Sequence, residues 1–291
     1  MKFLSFPRDC GHGVQDYQNT IRDYAAAINS SEDVLIECGD VTFVRPMGLT
    51  LLSSLTFSLI QERTRKTYFV KPKSTAVLRY LTDQDFFKEF NVEGTTLIAA
   101  ATRSTSVGLK RLENYDRSYI DQIPIWLRRN SHMPPEAITD VINTTVPEII
   151  NNVFDHSKSS IGCYICAQAY PREKRLKLSA IDLGVGLLQT LKPRFPYLCH
   201  NSEAIELAVR PGITSKSRAH NAGAGLDVLS GFLKLFKGTM EIVSRDGQWT
   251  QGADGQCVKS ILPFEFPGTC INLTFDDQAI VDRFTPGDRY D

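Results

Sequence analysis

Apolar and polar positions in the first hundred residues follow the periods of strands and helices in turn. The segment VLIEC at 34–38 is a largely apolar run, as in a buried strand, whereas residues 15–29 carry Tyr17, Ile21 and Ile28 at helical spacing. Residues 46–48, Pro-Met-Gly, are predicted to interrupt the pattern. The predicted strands are 1–6, 34–38 and 67–72, with 41–44 extending or following the second, and the predicted helices are 15–29, 49–63 and 75–87. This alternation predicts an α/β domain of about one hundred residues.

A change in composition divides the chain after this region. Residues 100–117 are polar and mixed, which favours a boundary, and residues 118–130 are predicted to form an amphipathic helix that docks on a second domain. From Glu136 an apolar stripe predicts a long helix, which Pro147 should kink or divide. The predicted organisation is a domain at 1–100, a linker and docking helix at 101–130, and a second domain at 131–291.

The amino-acid composition limits the classes of partner that the chain is expected to bind. The 33 basic and 33 acidic residues give a formal net charge of zero, which argues against a bulk electrostatic grip on nucleic acid or anionic lipid. No stretch approaches the length of a transmembrane helix, and the start of the chain lacks the apolar run of a signal peptide. Seven scattered cysteines fit a reducing compartment. We therefore expect a cytoplasmic protein with no membrane segment.

One pair of cysteines has the spacing Cys-x-x-Cys, at Cys163 and Cys166. A second pair or a nearby histidine ligand would be needed for zinc, and neither is evident in the sequence. The surrounding segment IGCYICAQAY has the pattern of a strand, in which positions three apart face opposite sides. We therefore interpret both cysteines as structural.

The segment EIINNVFDHS, residues 148–157, carries the first candidate chemistry. Glu148 and Asn152 are four residues apart, so a helix places them on one face. An asparagine oxygen can ligate Mg²⁺, which prefers oxygen ligands. A neighbouring glutamate can orient and deprotonate water or a hydroxyl group. Asp155 follows about one turn later.

The segment KLSAIDLGVGL, residues 177–187, predicts a strand that runs into a glycine loop. Asp182 is the single charge in a long apolar stretch, and burial of a carboxylate is unfavourable unless it meets a specific donor. The exocyclic amine of adenine is such a donor. Gly184 and Gly186 allow the backbone to approach a ligand closely.

Two later segments add groups that suit phosphates and a base. Gly223 and Gly225 precede an apolar helix that begins near Leu226, and amides at a helix N-terminus attract anions. The preceding segment PGITSKSR offers hydroxyl groups and one amine, from Thr214, Ser215 and Lys216. A late strand opens with Gly268 and Thr269.

The order of these motifs, E-x3-N, D-x-G-x-G, G-x-G-L and G-T, resembles the GHKL ATPase superfamily, which includes gyrase-type and histidine-kinase-type ATP-binding domains. The resemblance covers about residues 130–277. It implies a Bergerat α/β sandwich with helices on one face of a mixed sheet. In that fold Asn152 would bind Mg²⁺, Glu148 would be the general base, and Asp182 would accept a hydrogen bond from the adenine amine. The other residues that the resemblance places around ATP are Asp155, Gly184, Gly186, Thr214, Ser215, Lys216, Gly223, Gly225, Leu226 and Thr269.

A second resemblance covers about residues 1–95. The segment VLIECGDVTFVRPMGLTLLSSLTFSLI is similar to the core of a STAS domain, the module of anti-sigma-factor antagonists. In the regulated members a serine or threonine that is phosphorylated stands directly before the glycine, but here the residue is Met47. The predicted fold class is thus α/β throughout, a STAS-like domain followed by a GHKL sandwich.

The sequence leaves several uses of ATP open. Glu148 can activate water, as in an ATPase, or the hydroxyl of a separate STAS-like partner, as in an anti-sigma-type serine kinase. A third reading is a switch or sensor in which nucleotide state selects a protein partner or a homodimer. A histidine kinase is disfavoured, because His132 lies only sixteen residues before Glu148 and two prolines follow it closely. In a further alternative, the N-terminal domain is a protein-interaction module, and ATP has only a structural role.

Overall fold

The computed structural model describes residues 1–11, 13–61, 65–92, 103–152, 154, 157–213 and 226–284, without the side chains of 140, 141, 143, 144, 148, 151, 152 and 282–284. It is a mixed α/β structure with one large antiparallel sheet and two small parallel sheets. No described helix combines the length and the apolar character needed to cross a membrane.

The first ninety residues form a small α/β unit. Three of its strands pair in parallel in the order β1-β3-β5, and β2 pairs in parallel with β4. The elements in chain order are β1 (Lys2–Ser5), β2 (Asp9–Cys10), α1 (Gln18–Ile28), β3 (Val34–Glu37), β4 (Phe43–Val44), α2 (Pro46–Gln61), β5 (Thr67–Val70), α3 (Thr75–Asp83) and α4 (Phe86–Glu89). The predicted alternation of strands and helices is confirmed in this region.

Two predicted boundaries in this unit are wrong. Helix α2 already begins at Pro46, because proline suits the first turn of a helix, where its missing N–H has no helical partner. The helix predicted at 75–87 is divided into α3 and α4. The division lies at Asp85, whose φ of 55° is left-handed and cannot continue a right-handed helix.

The rest of the chain builds a seven-stranded sheet in the order β11-β10-β9-β12-β8-β7-β6. Its strands are β6 (Ser106–Leu112), β7 (Cys163–Tyr170), β8 (Arg175–Asp182), β9 (Thr239–Ser244), β10 (Gly247–Gln251), β11 (Cys257–Ile261) and β12 (Thr269–Asp276). Its helices are α5 (Arg117–Ile120), α6 (Gln122–Asn130), α7 (Pro135–Ala137), α8 (Asn143–Asn152), α9 (Leu187–Leu191), α10 (Asn201–Ala208), α11 (Leu226–Leu235) and α12 (Asp277–Phe284).

The mixed sheet expected for this region is not what forms, because all six described strand pairs are antiparallel. Strands β8 and β9 do run in the same direction. They are not neighbours, however, since β12 lies between them and is antiparallel to both. The described part of the connection from β8 to β9 contains α9, α10 and α11.

The segment predicted as a linker, 101–130, contains a strand of this sheet. Strand β6 pairs with β7 at the sheet edge, with a bulge between Val107 and Lys110. Two adjacent basic residues, the exposed Lys110 and the half-buried Arg111, obscured the strand pattern, and charged residues on edge strands discourage pairing with other chains. The amphipathic segment predicted at 118–130 forms α5 and α6, which pack on the large sheet through Ile123 and Trp126.

Pro147 lies inside α8, and the helix continues through it to Asn152. A π-helical turn at Ile138–Ile142 directly precedes α8. Wider turns of this kind accommodate local interruptions of helical hydrogen bonding. The helix therefore widens to a π-helical turn before the proline and is not divided at the proline.

Both faces of the large sheet are covered. Helices α5, α6, α8 and α11 pack on one face, with side chains such as Ile149 and Phe232 in the core. The other face packs against the N-terminal unit, where Tyr164, Ile181 and Cys270 of the sheet join a core with Leu51 and Leu55 of α2. Cys163 and Cys166 belong to these two different cores, which agrees with their interpretation as structural residues.

A buried polar contact joins α2 to the centre of the sheet. Thr50 of α2 is fully buried, and its Oγ1 lies 3.0 Å from Oγ of Ser179 on β8. Ser179 in turn donates to Oδ1 of Asn272 at 2.7 Å, and the amide of Asn272 donates to Glu241 at 2.9 Å. These bonds satisfy polar side chains that would otherwise be buried without partners.

We expect Thr50→Val to lower the free energy of unfolding by about 1 kcal/mol. The substitution keeps the shape of the side chain but removes its contact with Ser179 and its hydrogen bonds to the carbonyl oxygens of Pro46 and Met47. Thr56→Val on the same helix is the matched control. The hydroxyl group of Thr56 is buried and has no partner among the described residues, so its removal should be neutral or stabilising. Urea unfolding of both variants measures the difference. Equal losses would contradict a contribution of the Thr50 hydroxyl group to stability.

Candidate functional site

Asp182 is the last residue of β8, and it lies in the middle of the sheet. Its strand position pairs with Thr269 on β12 and with Cys163 on β7. The side chain is 4% exposed and makes no ion pair with any described residue. A carboxylate is thus held in the interior by neutral surroundings.

The loop after β8 folds back against this carboxylate. The backbone N–H of Gly184 donates to Oδ1 of Asp182 at 2.8 Å. The next residue, Val185, donates its N–H to the carbonyl oxygen of Ser157 at 2.7 Å. A Cβ atom at position 184 would lie only 2.1 Å from that carbonyl oxygen. Gly184 is therefore required for the loop to approach Ser157 so closely.

Gly186 ends the loop with a φ of 83°, a conformation that favours glycine, and α9 begins directly after it. The first helical N–H, that of Leu187, donates to Oγ of Ser244 at 2.8 Å. The same Ser244 oxygen lies 3.3 Å from Oγ1 of Thr269. One serine on β9 thus connects the glycine loop to the start of β12.

A cavity of about 60 Å³ opens beside Asp182. Four of the residues that the sequence singled out line it together, namely Asp182, Gly186, Leu226 and Thr269. The remaining lining residues are Ile149, Ser157, Ala180, Leu187, Thr190 and Ile271. Most of the wall is apolar, so the carboxylate and the threonine hydroxyl groups are its main polar features.

The sequence did not identify Ser157, Thr190 or Ser244 as site residues. Ser157 follows α8, Thr190 lies in α9, and Ser244 ends β9. Each is an ordinary small polar residue without a motif of its own. Ser244 reaches the site because the strand order places β9 beside β12, and the sequence spacing does not predict that order.

Several predicted residues lie outside the described part of the chain. These are Asp155, Thr214, Ser215, Lys216, Gly223 and Gly225, together with the side chains of Glu148 and Asn152. Positions 148 and 152 do belong to α8, and Ile149 of the same helix lines the cavity. The described residues contain no cluster of three metal-binding side chains. The Mg²⁺ ligand expected at Asn152 remains a prediction.

Burial raises the pKa of the Asp182 carboxyl group to about 7, from an ordinary value of 3.8. Loss of hydration disfavours the charged form and is the main cause. Hydrogen bonds from the backbone N–H groups of Gly184 and Thr269 act in the opposite direction, since they stabilise the carboxylate. The group therefore changes its charge near neutral pH.

No family model matches the chain, and no curated protein matches it either.

The raised pKa of Asp182 predicts a loss of stability with rising pH. In the unfolded chain the carboxyl group ionises near 3.8, whereas in the folded protein it keeps its proton up to about 7. The folded state therefore binds more protons between these values, and its free energy of unfolding falls as pH increases.

Relative to Asp182→Asn, the ligand-free wild type should lose on the order of 2–3 kcal/mol between about pH 5 and about pH 8. Asparagine keeps the acceptor for the Gly184 N–H but does not ionise. Urea unfolding of both proteins at the two pH values measures the difference. Parallel pH profiles would show that Asp182 does not titrate in this range.

Proposed function

We propose that this chain binds ATP with Mg²⁺ as a regulatory protein of the GHKL class, with Asp182 as the residue that recognises adenine. The observation that carries the proposal is the buried Asp182 carboxylate, which faces a mostly apolar cavity in company with Gly186, Leu226 and Thr269. The order of the sequence motifs supports the same assignment.

The surroundings of Asp182 favour a neutral hydrogen-bond donor as its ligand. One carboxylate oxygen already accepts from Gly184, and a carboxylate can accept further hydrogen bonds. No described cation compensates the charge, so a donor from the ligand would stabilise it. The exocyclic amine of adenine supplies such a donor. Guanine presents a carbonyl oxygen at the equivalent place and would meet the carboxylate unfavourably.

The walls of the cavity suit the flat faces of a base. Ile149, Ala180 and Ile271 contribute apolar surface, and Thr269 adds a hydroxyl group beside Asp182. The resemblance assigns Thr269 to an adenine contact, places residues 214–216 near the phosphates, and places Gly223 and Gly225 at the hinge of a lid. A base bound here would pack on apolar side chains and pair with one carboxylate, and the cavity of about 60 Å³ would have to widen to admit it.

Helix α8 carries the two residues proposed for chemistry. Asn152 would hold Mg²⁺, and a bound Mg²⁺ would supply charge compensation to the phosphates. Glu148 would orient the attacking water or hydroxyl group and accept its proton. Because Ile149 of this helix lines the cavity, α8 is suitably placed to bring positions 148 and 152 near a nucleotide.

The N-terminal unit bears on how nucleotide binding would be used. Met47 is 6% exposed, and α2 packs against β7 and β8. A phosphoacceptor at position 47 would thus be inaccessible, which adds to the absence of a hydroxyl group there. A protein partner would have to use another surface. We favour a nucleotide-dependent switch with slow hydrolysis, in which the sheet transmits the state of the site to the N-terminal unit.

The experiment that tests this function is binding and turnover of γ-labelled ATP with Mg²⁺. We expect the wild type to retain the label in equilibrium binding and to release labelled phosphate slowly. Glu148→Ala should keep binding but lose turnover by about two to four orders of magnitude, as expected for removal of a general base. Glu136→Ala, at an exposed position before α8, is the matched control and should resemble the wild type.

Each outcome has a distinct meaning. No displaceable binding of ATP by the wild type would overturn the proposed function. Unchanged turnover in Glu148→Ala would remove Glu148 from the mechanism. Label on the hydroxyl group of an added STAS-like partner would replace the ATPase with a serine kinase, and binding without turnover would leave a nucleotide sensor.

A further inference from the structure

A second cavity, of about 540 Å³, lies between the N-terminal unit and the edge of the large sheet. One wall is formed by β4 and α3, and the other by β7 and the turn that follows it. Its lining includes Phe43, Ala76, Tyr80, Gln168 and Tyr170. The volume falls within the range of pockets that bind small molecules.

This cavity is separate from the Asp182 site. It adjoins the end of β7 and the turn that leads into β8, whereas Asp182 closes the opposite end of β8. The eight residues of β8 separate the two ends by about 23 Å at the usual rise of a strand. Gln168 and Tyr170 lie two and four residues after Cys166 on β7, so their side chains point to the same face of the sheet. That face packs against the N-terminal unit. Asp182 instead shares its cavity with Ile149 of the opposite face.

Aromatic side chains form much of the inner surface. The rings of Phe43 and Tyr170 lie 6.5 Å apart between centroids. The guanidinium group of Arg45 stacks on both, at 4.8 Å and 5.4 Å, and it pairs with Glu173 at 3.1 Å. The hydroxyl group of Tyr80 makes no hydrogen bond to a described residue, so it is available to a ligand. Flat faces and one unused hydroxyl group suit a planar ring.

Among the charged residues that the structure describes around the cavity, one cation lacks a partner. Arg103 pairs with Asp83 at 3.1 Å, and Glu173 is held by Arg45. Arg172 is exposed at the rim and forms no ion pair with a described residue. The rim therefore carries an uncompensated positive charge that would attract an anionic group.

We propose that this cavity binds a small planar aromatic compound with one anionic group, whose ring packs against Tyr80 and Tyr170 and whose anion pairs with Arg172. Because its walls come from the N-terminal unit and from the large sheet, such a ligand would fix the relative position of the two. The cavity would then act as a second ligand site, whether or not the chain binds ATP.

A pair of fluorescent probes tests this proposal. One is 8-anilinonaphthalene-1-sulfonate, which combines aromatic rings with one anion, and the other is N-phenyl-1-naphthylamine, which has the same rings without the sulfonate. We expect the anionic probe to bind the wild type at a single saturable site. Ala76→Trp, which fills the cavity from the exposed start of α3, should weaken both probes at least about tenfold. Ala25→Trp, at an exposed position of α1, is the matched control and should not change either probe.

A charge reversal at the rim separates recognition of the anion from recognition of the rings. Arg172→Glu should weaken the sulfonate probe by about five- to tenfold and leave the neutral probe unchanged. Lys88→Glu, an equally exposed charge reversal on α4, should affect neither. Both arginine and lysine variants alter surface positions, so they test the proposal even if Ala76→Trp fails to fold.

Three results would overturn the proposal. These are equal binding of the probes by Ala76→Trp and the wild type, many weak sites in place of one, and an equal effect of Arg172→Glu on both probes. Displacement of the probe by Mg-ATP in the wild type, together with its loss in Asp182→Asn, would place the probe in the Asp182 cavity and also contradict the proposal. If the chain did not bind ATP, the proposal of this second site would not be affected.

Discussion

The burial of β8 on both faces is the constraint on which much of the structure depends. Helices cover one face of the strand, and α2 of the N-terminal unit covers the other. A polar side chain on the fully buried part of this strand, residues 178–182, can reach no bulk water and needs a partner in the protein or in a ligand. Ser179 meets this need through Thr50 and Asn272. Asp182 meets it only in part, through the N–H groups of Gly184 and Thr269, and it retains unused acceptor capacity beside a cavity.

That difference between Ser179 and Asp182 connects the two halves of the chain. The residues lie three positions apart on one strand, and they face opposite sides of the sheet. A ligand that binds the ionised form of Asp182 would therefore contact the same strand that packs against α2. The cavity lined by Tyr80 and Tyr170 lies near the other end of β8. Two ligands at these places would influence each other reciprocally if the N-terminal unit and the sheet move relative to one another.

The sequence predicted those features that depend on local patterns. The alternation of strands and helices before residue 90 follows from periodicity. Asp182, Gly186 and Thr269 were recognisable because a lone charge at a strand end and glycines in the next turn are local signals. The structure brings these residues together at one cavity, along with Leu226.

The remaining features depend on contacts between distant segments. Strand β12 inserts between β8 and β9, which makes the sheet antiparallel throughout its described pairs and brings Ser244 to Thr269. Strand β6 was not recognised because Lys110, Arg111 and a bulge interrupt its pattern. The packing of α2 on the sheet could not be predicted either, because the apolar character of a helix does not indicate which surface the helix will cover.

The affinity of the chain for ATP compared with inosine triphosphate tests the central role of Asp182 most directly. The inosine base carries a carbonyl oxygen where adenine carries its exocyclic amine, and its ring N1 carries a hydrogen; the sugar and the triphosphate are the same. Calorimetry at a pH above the pKa of Asp182 should show a preference for ATP of roughly 10- to 100-fold in the wild type, as expected for one hydrogen bond to a buried charge. The preference should largely disappear in Asp182→Asn. Equal affinity of the wild type for both nucleotides, or the same preference in the variant, would contradict the account.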